Sequence, residues 1–134
     1  MTSSPRSPPS LARLDWRAIL AALGVAFVTG LVTRTLLAPV PGIVASIVGI
    51  GVSGFLAGIG ARGAGAYHGA AVGVGWVLLE AIGVAPTPAA AENAVADTVA
   101  VIAFDALSLS AATFGGWFAA KRHRSSSSGR GKAR

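Results

Sequence analysis

The 134-residue sequence contains no cysteine and has few charged residues. Without cysteine the chain can form neither a disulfide nor a thiolate metal site, so the sequence carries no information on redox compartment. Charged residues make up 12% of the chain, against about 25% in an average soluble domain. Hydrophobic residues make up 53%, and the mean hydropathy is +0.67. This composition excludes a disordered chain and argues against a water-soluble globule.

Motifs for catalysis and metal binding are also missing. The two histidines, His68 and His123, lie far apart in a chain with only five acidic residues, so we expect no protein-built metal site and no cofactor. There is no HExxH motif, and the glycines from Gly58 to Gly65 lack the Gly-Lys-Ser/Thr ending of a phosphate-binding loop. His68 is expected to act as a hydrogen-bonding residue rather than a ligand. We therefore predict that the protein is not an enzyme.

Four apolar runs fill the middle of the chain. Each has about 20 residues or more, which lets a helix cross about 30 Å of hydrocarbon. The flanking segments 1–16 and 121–134 are rich in serine with proline or basic residues and are expected to be disordered. The sequence thus predicts an all-α membrane protein whose domain, 17–120, contains four transmembrane helices. The runs cover residues 17–38, 42–61, 64–85 and 94–120.

Two other interpretations of these runs fit the sequence less well. A soluble four-helix bundle needs a polar face on each helix, but the run 42–61 contains no charged residue. A cleaved signal peptide at the first run needs a small-residue cleavage site, and Pro39 and Pro41 occupy the place where that site would lie. The first run is therefore interpreted as an uncleaved span.

Basic residues are distributed unevenly among the segments that connect the runs. Lysine and arginine mark the cytoplasmic side of a membrane protein. They occur before the first run, at Arg62 between the second and third runs, and after the fourth run, where six of the eleven lie. The segment between the third and fourth runs has none and carries Glu92. This pattern predicts that both termini are cytoplasmic, and the Ala/Gly/Arg-biased composition suggests a prokaryotic inner membrane.

The basic tail is interpreted as an orienting segment that faces lipid. Lys121, Arg122 and Arg124 directly follow the last run, and a cation near an anionic membrane surface gains about 1 kcal/mol. The tail contains no aromatic side chain on which a nucleic-acid base could stack. We therefore expect anionic lipid headgroups at the inner face as partners, with docking to nucleic acid or protein as the weaker alternative.

Glycines are concentrated in the second and third runs, with eleven between residues 42 and 75. Helices in lipid associate through close backbone contact, which small residues permit. Glycines spaced four residues apart predict glycine-zipper packing, either between the second and third helices or between two copies of the chain. A sequence rich in Gly and Ala also produces such spacings by chance. The glycines with this spacing are Gly54, Gly58, Gly65, Gly69 and Gly73. A further stripe of small residues lies at 112–120.

The same region resembles a group of known proteins. The stretch Gly54-Phe-Leu-Ala-Gly58, followed by Gly65-Ala-Tyr-His-Gly-Ala-Ala-Val-Gly73, is similar to the middle of small, glycine-rich, four-span prokaryotic membrane proteins of unknown function. In those families an Ala/Gly-rich second span runs into a Gly-Ala-x-His-Gly start of the third span. The resemblance covers the four-span layout and this motif, and it implies a fold without implying an activity.

Three charged residues fall at membrane depth: Arg34, Glu80 and Asp105. A charge at the bilayer centre costs at least about 2.5–3.5 kcal/mol, so each residue requires an explanation. At about 1.5 Å per residue, all three lie about 22–25 Å above the inner boundary. We hypothesise a polar layer in which Arg34 pairs with Glu80 or Asp105 and desolvation keeps the remaining carboxyl protonated. In the structural alternative, Arg34 and Glu80 extend to the outer interface.

The sequence does not identify a substrate. It favours a structural or accessory membrane protein whose partner is a second copy of the chain or another membrane protein. One alternative is a small ion or proton transporter or channel subunit that uses the intramembrane carboxylates, with Asp105 as the central residue. The other alternative is a holin-like pore former, which also has few spans and a basic tail.

Overall fold

The structure is a computed structural model that describes residues 14–37, 39–61, 64–85 and 94–128. All of the regular structure in these residues is helical, which confirms the predicted all-α class. Three helical segments are long and apolar enough to cross a membrane, namely Trp16–Leu36, Pro41–Gly60 and Val95–Arg122. The helices are α1 (Trp16–Leu36), α2 (Pro39–Gly60), α3 (Gly65–Ala81) and α4 (Ala94–Ser128).

The helix ends differ from the predicted runs at several places, among them the end of α3 at Ala81 rather than at residue 85, and two of the differences have a direct physical cause. First, α2 begins at Pro39 rather than at residue 42, because proline is tolerated in the first turn of a helix, where its missing N–H has no intrahelical partner. Second, α4 continues through Ser128, so residues 121–128 are helical rather than disordered. Lysine and arginine are good helix formers, so the end of the apolar run does not end the helix. Residues 1–13 and 129–134, also expected to be disordered, lie outside the described residues.

Two helix ends are closed by specific local interactions. The Asp15 side chain caps the start of α1 by accepting hydrogen bonds from the backbone N–H groups of Arg17 (3.0 Å) and Ala18 (3.3 Å). At the end of α3, Gly83 adopts a left-handed backbone with φ of +74°, which glycine tolerates best. Its N–H donates to the Glu80 carbonyl oxygen at 2.9 Å. Each interaction satisfies backbone groups that a helix terminus leaves unpaired.

The helices form a four-membered bundle in which α2 and α3 occupy the middle. Residues 61–64 join α2 to α3, and the two helices pack together. On one side of this pair lies α1, and on the other lies α4, whose contact with α2 is the most extensive between any two helices. Among the described helices, α1 and α4 share no contact. A side chain on α1 is therefore separated from α4 by the central pair.

Small and polar side chains fill the interior, whereas large apolar side chains cover the surface. The buried set is dominated by alanine and includes the polar residues Ser53, His68 and Ser108. Large aliphatic side chains are exposed on every helix, among them Leu20, Val48, Leu78 and Ile102. A water-soluble protein has the reverse distribution, since Leu, Ile and Val are among its most buried residues and large exposed apolar patches are rare. This surface is suited to contact with lipid.

Candidate functional site: a buried carboxyl pair between α3 and α4

The backbones of α3 and α4 approach each other closely along a line of small residues. A Cβ atom added to Gly65 or Gly69 would overlap a carbonyl oxygen of α4, that of Gly116 and that of Ala112 respectively. A Cβ atom at Gly73 would lie 2.9 Å from the Leu109 Cα. Ordinary contact for a Cβ atom begins at 3.4 Å, so no side chain larger than hydrogen fits at these positions without displacing α4.

The glycines of α2 face the same helix. A Cβ atom at Gly54 would overlap the Ala112 carbonyl oxygen, and one at Gly58 would lie 2.7 Å from the Gly116 Cα. Conversely, a Cβ atom at Gly115 would overlap the Gly51 carbonyl oxygen. The small-residue stripe of α4 thus receives both α2 and α3. The sequence predicts that these glycines pack the second helix against the third, or one copy of the chain against another. In the structure, all five predicted glycines face α4 instead.

The contacts between α3 and α4 follow an antiparallel register. Moving up α3 from Gly65 through Gly73, the facing residues move down in number along α4, from Ala120 to Leu109. One to two turns further along the same line, Trp76 and Glu80 reach the level of Ser108 and Asp105. There the Glu80 carboxyl faces the Asp105 carboxyl and the Trp76 indole N–H. The line of glycines therefore ends in a group of polar side chains, which we call the carboxyl site.

The polar atoms of the carboxyl site are buried without hydrogen-bond partners. Trp76 and Ser108 are fully buried, and Glu80 is 7% exposed. Although Glu80 faces Asp105 and Trp76, these groups do not meet in hydrogen-bonding geometry. Five atoms have no partner among the described residues: Trp76 Nε1, Glu80 Oε1 and Oε2, Asp105 Oδ1 and Ser108 Oγ. An unpaired buried polar group costs about 1–3 kcal/mol, so their concentration in one place requires an explanation and makes this the candidate site.

The surroundings of the carboxyl site are apolar. Trp76 belongs to a core cluster with Ile50, Phe104 and Ala112, and this cluster separates the site from the surface on the side of α2. Asp105 itself is half-buried. Two carboxylates placed side by side with little water around them repel each other, which disfavours a doubly charged pair. Binding a proton or a cation is the chemistry that such an arrangement can perform.

The structure brings together two of the three residues of the predicted polar layer. Arg34 lies in the last turn of α1, is exposed, and forms no ion pair with a described residue. Its predicted pairing with Glu80 or Asp105 is therefore not formed. The helices α1 and α4 are not neighbours, and near the C-terminal end of a helix the charge of Arg34 is favourable without an acidic partner.

Sequence reasoning did not identify Trp76 as part of the site. Its position one turn before Glu80 was the signal that could have revealed its role. Residues four apart share a helix face, so an indole N–H was available on the carboxyl side of α3. Ser108 lies one turn from Asp105 on α4 and is buried.

His68 joins the beginnings of α1 and α3. Its side chain is 1% exposed, and its Nε2 atom accepts a hydrogen bond from the Asp15 backbone N–H at 2.9 Å. Its Nδ1 atom lies 3.1 Å from the Ala64 carbonyl oxygen. Because Nε2 accepts, the proton belongs on Nδ1, so we assign the neutral tautomer that donates to Ala64. His68 is thus a hydrogen-bonding residue, as predicted from the sequence.

The described part of the chain contains no group of three or more histidine or acidic side chains that could hold a metal ion. In the basic tail, Lys121 and Arg122 are exposed, whereas the side chain of Arg124 lies outside the described residues.

Comparisons of the chain with protein-family models, with curated proteins and with solved structures give no match. The resemblance to small four-span membrane proteins therefore stays a prediction.

Proposed function

We propose that this protein is a small integral membrane protein that binds and releases a proton at the carboxyl site, as a subunit of a proton-conducting or proton-coupled system. The observation that carries the proposal is the set of five buried, unpartnered polar atoms at the interface of α3 and α4. A proton shared by Glu80 and Asp105 lowers the charge of the pair from −2 to −1 and so removes the repulsion between two ionised carboxylates. Intramembrane carboxyl groups are costly and commonly belong to ion or proton pathways.

The proposal includes four membrane spans with both termini in the cytoplasm of a prokaryotic cell. The helix α3 has 17 residues, or about 25 Å, which is at the short end of the range for a span. Its outer face carries exposed apolar side chains such as Val74 and Leu78. The close approach of Gly54, Gly58 and Gly65 to α4 supports glycine-zipper packing within one chain.

The topology is tested with reporter fusions. Reporters placed at each terminus and within residues 61–64 should all indicate the cytoplasmic side, and a reporter placed within residues 86–93 should indicate the opposite side. If α3 does not cross, the reporters at the two termini will report opposite sides of the membrane. That result contradicts the four-span arrangement.

Proton binding is tested in proteoliposomes that carry a pH-sensitive dye. The wild-type protein should dissipate a pH gradient faster than empty liposomes, and Asp105→Asn and Glu80→Gln should each reduce the protein-dependent rate at least about tenfold, since each removes one member of the pair that shares the proton. Asp97→Asn is the matched control, because it removes a carboxyl group from the first turn of the same helix, outside the carboxyl site.

A second measurement separates proton binding from transport. In detergent, the infrared difference spectrum between acidic and alkaline pH should contain a carboxylic-acid carbonyl band that disappears in Asp105→Asn or Glu80→Gln. The absence of this band in the wild-type protein would contradict proton binding at the site. If the band is present but no flux occurs, the protein binds a proton without conducting it, which favours the structural or accessory role indicated by the sequence.

A further inference from the structure

A groove opens on the lipid-facing side of the contact between α3 and α4. Its volume is about 460 Å³, and it is lined by Ala66, Leu109, Ser110, Thr113, Phe114 and Trp117. The Phe114 and Trp117 rings meet edge to face, with their centroids 6.5 Å apart. Both side chains are substantially exposed, Phe114 at 68% and Trp117 at 49%. This groove lies on the side of the bundle away from α1 and is separate from the carboxyl site.

The groove and the lysine beyond it together have about the length of one membrane leaflet. The lining on α4 runs from Leu109 to Trp117, and Lys121 lies one turn further, so the twelve residues from Leu109 to Lys121 rise about 18 Å. Half of a hydrocarbon core of about 30 Å is about 15 Å. A molecule that lay along the groove would therefore reach from the headgroup level at Lys121 to near the bilayer midplane.

Positive charge is held at the inner end of the groove. The Lys121 Nζ atom lies 5.2 Å from the centroid of the Trp117 ring, one turn away on the same helix face. The Arg122 guanidinium lies in a similar position, 4.8 Å from the centroid of Phe118. An interfacial tryptophan with a lysine over its ring combines an apolar surface with a cation at the depth of the lipid headgroup.

Among the described residues, no acidic side chain forms an ion pair with Lys121. Glu80, Asp97 and Asp105 lie towards the opposite end of the bundle, and Asp15 caps α1, which does not contact α4. The Thr113 hydroxyl in the lining donates to the Leu109 carbonyl oxygen at 2.7 Å. Its donor is therefore already satisfied, which makes the lining compatible with an apolar chain. The groove thus pairs a cationic end with an apolar floor.

We infer that this groove binds one anionic phospholipid of the inner leaflet, with an acyl chain along Leu109, Phe114 and Trp117 and the phosphate at Lys121. Charge complementarity and the match to leaflet length favour a lipid over a second copy of the chain. The inference rests on the membrane orientation in the proposed function but not on proton binding. Any anionic glycerophospholipid fits this chemistry, because the recognised groups are the phosphate and the acyl chain.

The inference is tested by lipid retention. The full-length protein is reconstituted with equal amounts of phosphatidylglycerol and phosphatidylcholine, extracted in mild detergent, and examined by native mass spectrometry. We expect one retained phosphatidylglycerol per chain, enriched at least about fivefold over phosphatidylcholine. Lys121→Gln should reduce the preference for the anionic lipid, and Ala66→Phe should fill the groove and abolish retention. Arg17→Gln is the matched control, because it removes an exposed cation from the inner end of α1.

Three outcomes overturn the inference: equal retention of both lipids, retention unchanged in Lys121→Gln and Ala66→Phe, or dimers that carry no lipid. Proton flux measured in the same samples distinguishes a failure of this inference from a failure of proton binding at the carboxyl site. Asp105→Asn should lose flux and keep the lipid, whereas Lys121→Gln should lose the preference for the anionic lipid and keep flux. Folding of Ala66→Phe is confirmed by circular dichroism, and Lys121→Gln tests the inference independently if that variant does not fold.

Discussion

Replacement of Gly58 by alanine tests the close packing of α4 most directly. The added Cβ atom would lie 2.7 Å from both the Cα and the carbonyl oxygen of Gly116, and 3.0 Å from the Ala119 Cβ. Ordinary contact begins at 3.4 Å, so α2 and α4 must separate by the difference of about 0.7 Å. The obstructing atoms belong to the backbone, and the whole helix must therefore move rather than one rotamer.

The expected cost follows from this displacement. Overpacking of a well-packed interface costs about 1–3 kcal/mol, and the better helix propensity of alanine returns about 0.5–1 kcal/mol. Gly58→Ala should therefore lower the free energy of unfolding by about 1–2 kcal/mol. The matched control is Gly24→Ala, because a Cβ atom at Gly24 meets nothing within 4 Å. This variant should be as stable as the wild-type protein or more stable.

A third variant, Gly75→Ala, should have a stability between those of Gly24→Ala and Gly58→Ala. A Cβ atom at Gly75 would lie 2.8 Å from a terminal methyl group of Leu23, and a flexible side chain can move away at low cost. The free energy of unfolding, measured by titration with dodecyl sulfate in mixed micelles and followed by circular dichroism, should fall in the order Gly24→Ala, Gly75→Ala, Gly58→Ala. If Gly58→Ala is as stable as Gly24→Ala, α4 is not in backbone contact with α2 and the packing scheme is refuted.

Two further predictions concern the junction of α1 and α3. His68→Ala removes the acceptor of the Asp15 N–H and should cost about 1–3 kcal/mol in the same titration, with faster amide exchange at residues 15–18. An unchanged exchange rate there would contradict the tie between the helices. Asp15→Ala removes the N-cap of α1 and should cost about 1 kcal/mol, whereas Asp15→Asn, which retains a capping oxygen, should cost less than half as much. Equal losses in these two variants would show that capping is not the role of Asp15.

The axial positions of the helices and the acids follow from the sequence. Apolar runs bounded by proline and basic residues define where each helix lies along the bundle axis, and the rise per residue then places Glu80 and Asp105 at one height. The structure brings these two residues together. Arg34 lies at a similar height but does not join them, because height gives no information on which helices are neighbours. Adjacency depends on packing of all four helices, and α1 is separated from α4 by α2 and α3.

The glycine stripes illustrate the same limit. The spacing of Gly65, Gly69 and Gly73 identifies one face of α3 that admits a close neighbour, but a stripe does not specify its partner. The sequence interpretation assigned the neighbour by connectivity, and a short linker does make α2 and α3 adjacent. The backbones nevertheless approach most closely at α4, whose own stripe at 112–120 allows it to contact two glycine faces at once.

The end of α4 shows that a charge pattern predicts where an apolar segment ends rather than where the helix ends. The basic residues from Lys121 onward indicate where the apolar span stops, but loss of apolar character does not unfold a helix. Lys121 and Arg122 each lie over an aromatic ring one turn back, and such pairs at a spacing of four residues stabilise helix. The helix therefore continues beyond the apolar segment, to Ser128.

The carboxyl site and the glycine packing belong to one interface, and this connection explains how costly polar groups are held in place. The residues Gly65, Gly69 and Gly73 bring the backbones of α3 and α4 into contact over two turns. This contact determines the register in which Glu80 meets Asp105 further along the same interface. Larger side chains at the glycine positions would separate the helices and allow the carboxyl groups to turn away from each other. The small residues thus supply the packing energy that offsets the burial of unpaired polar atoms.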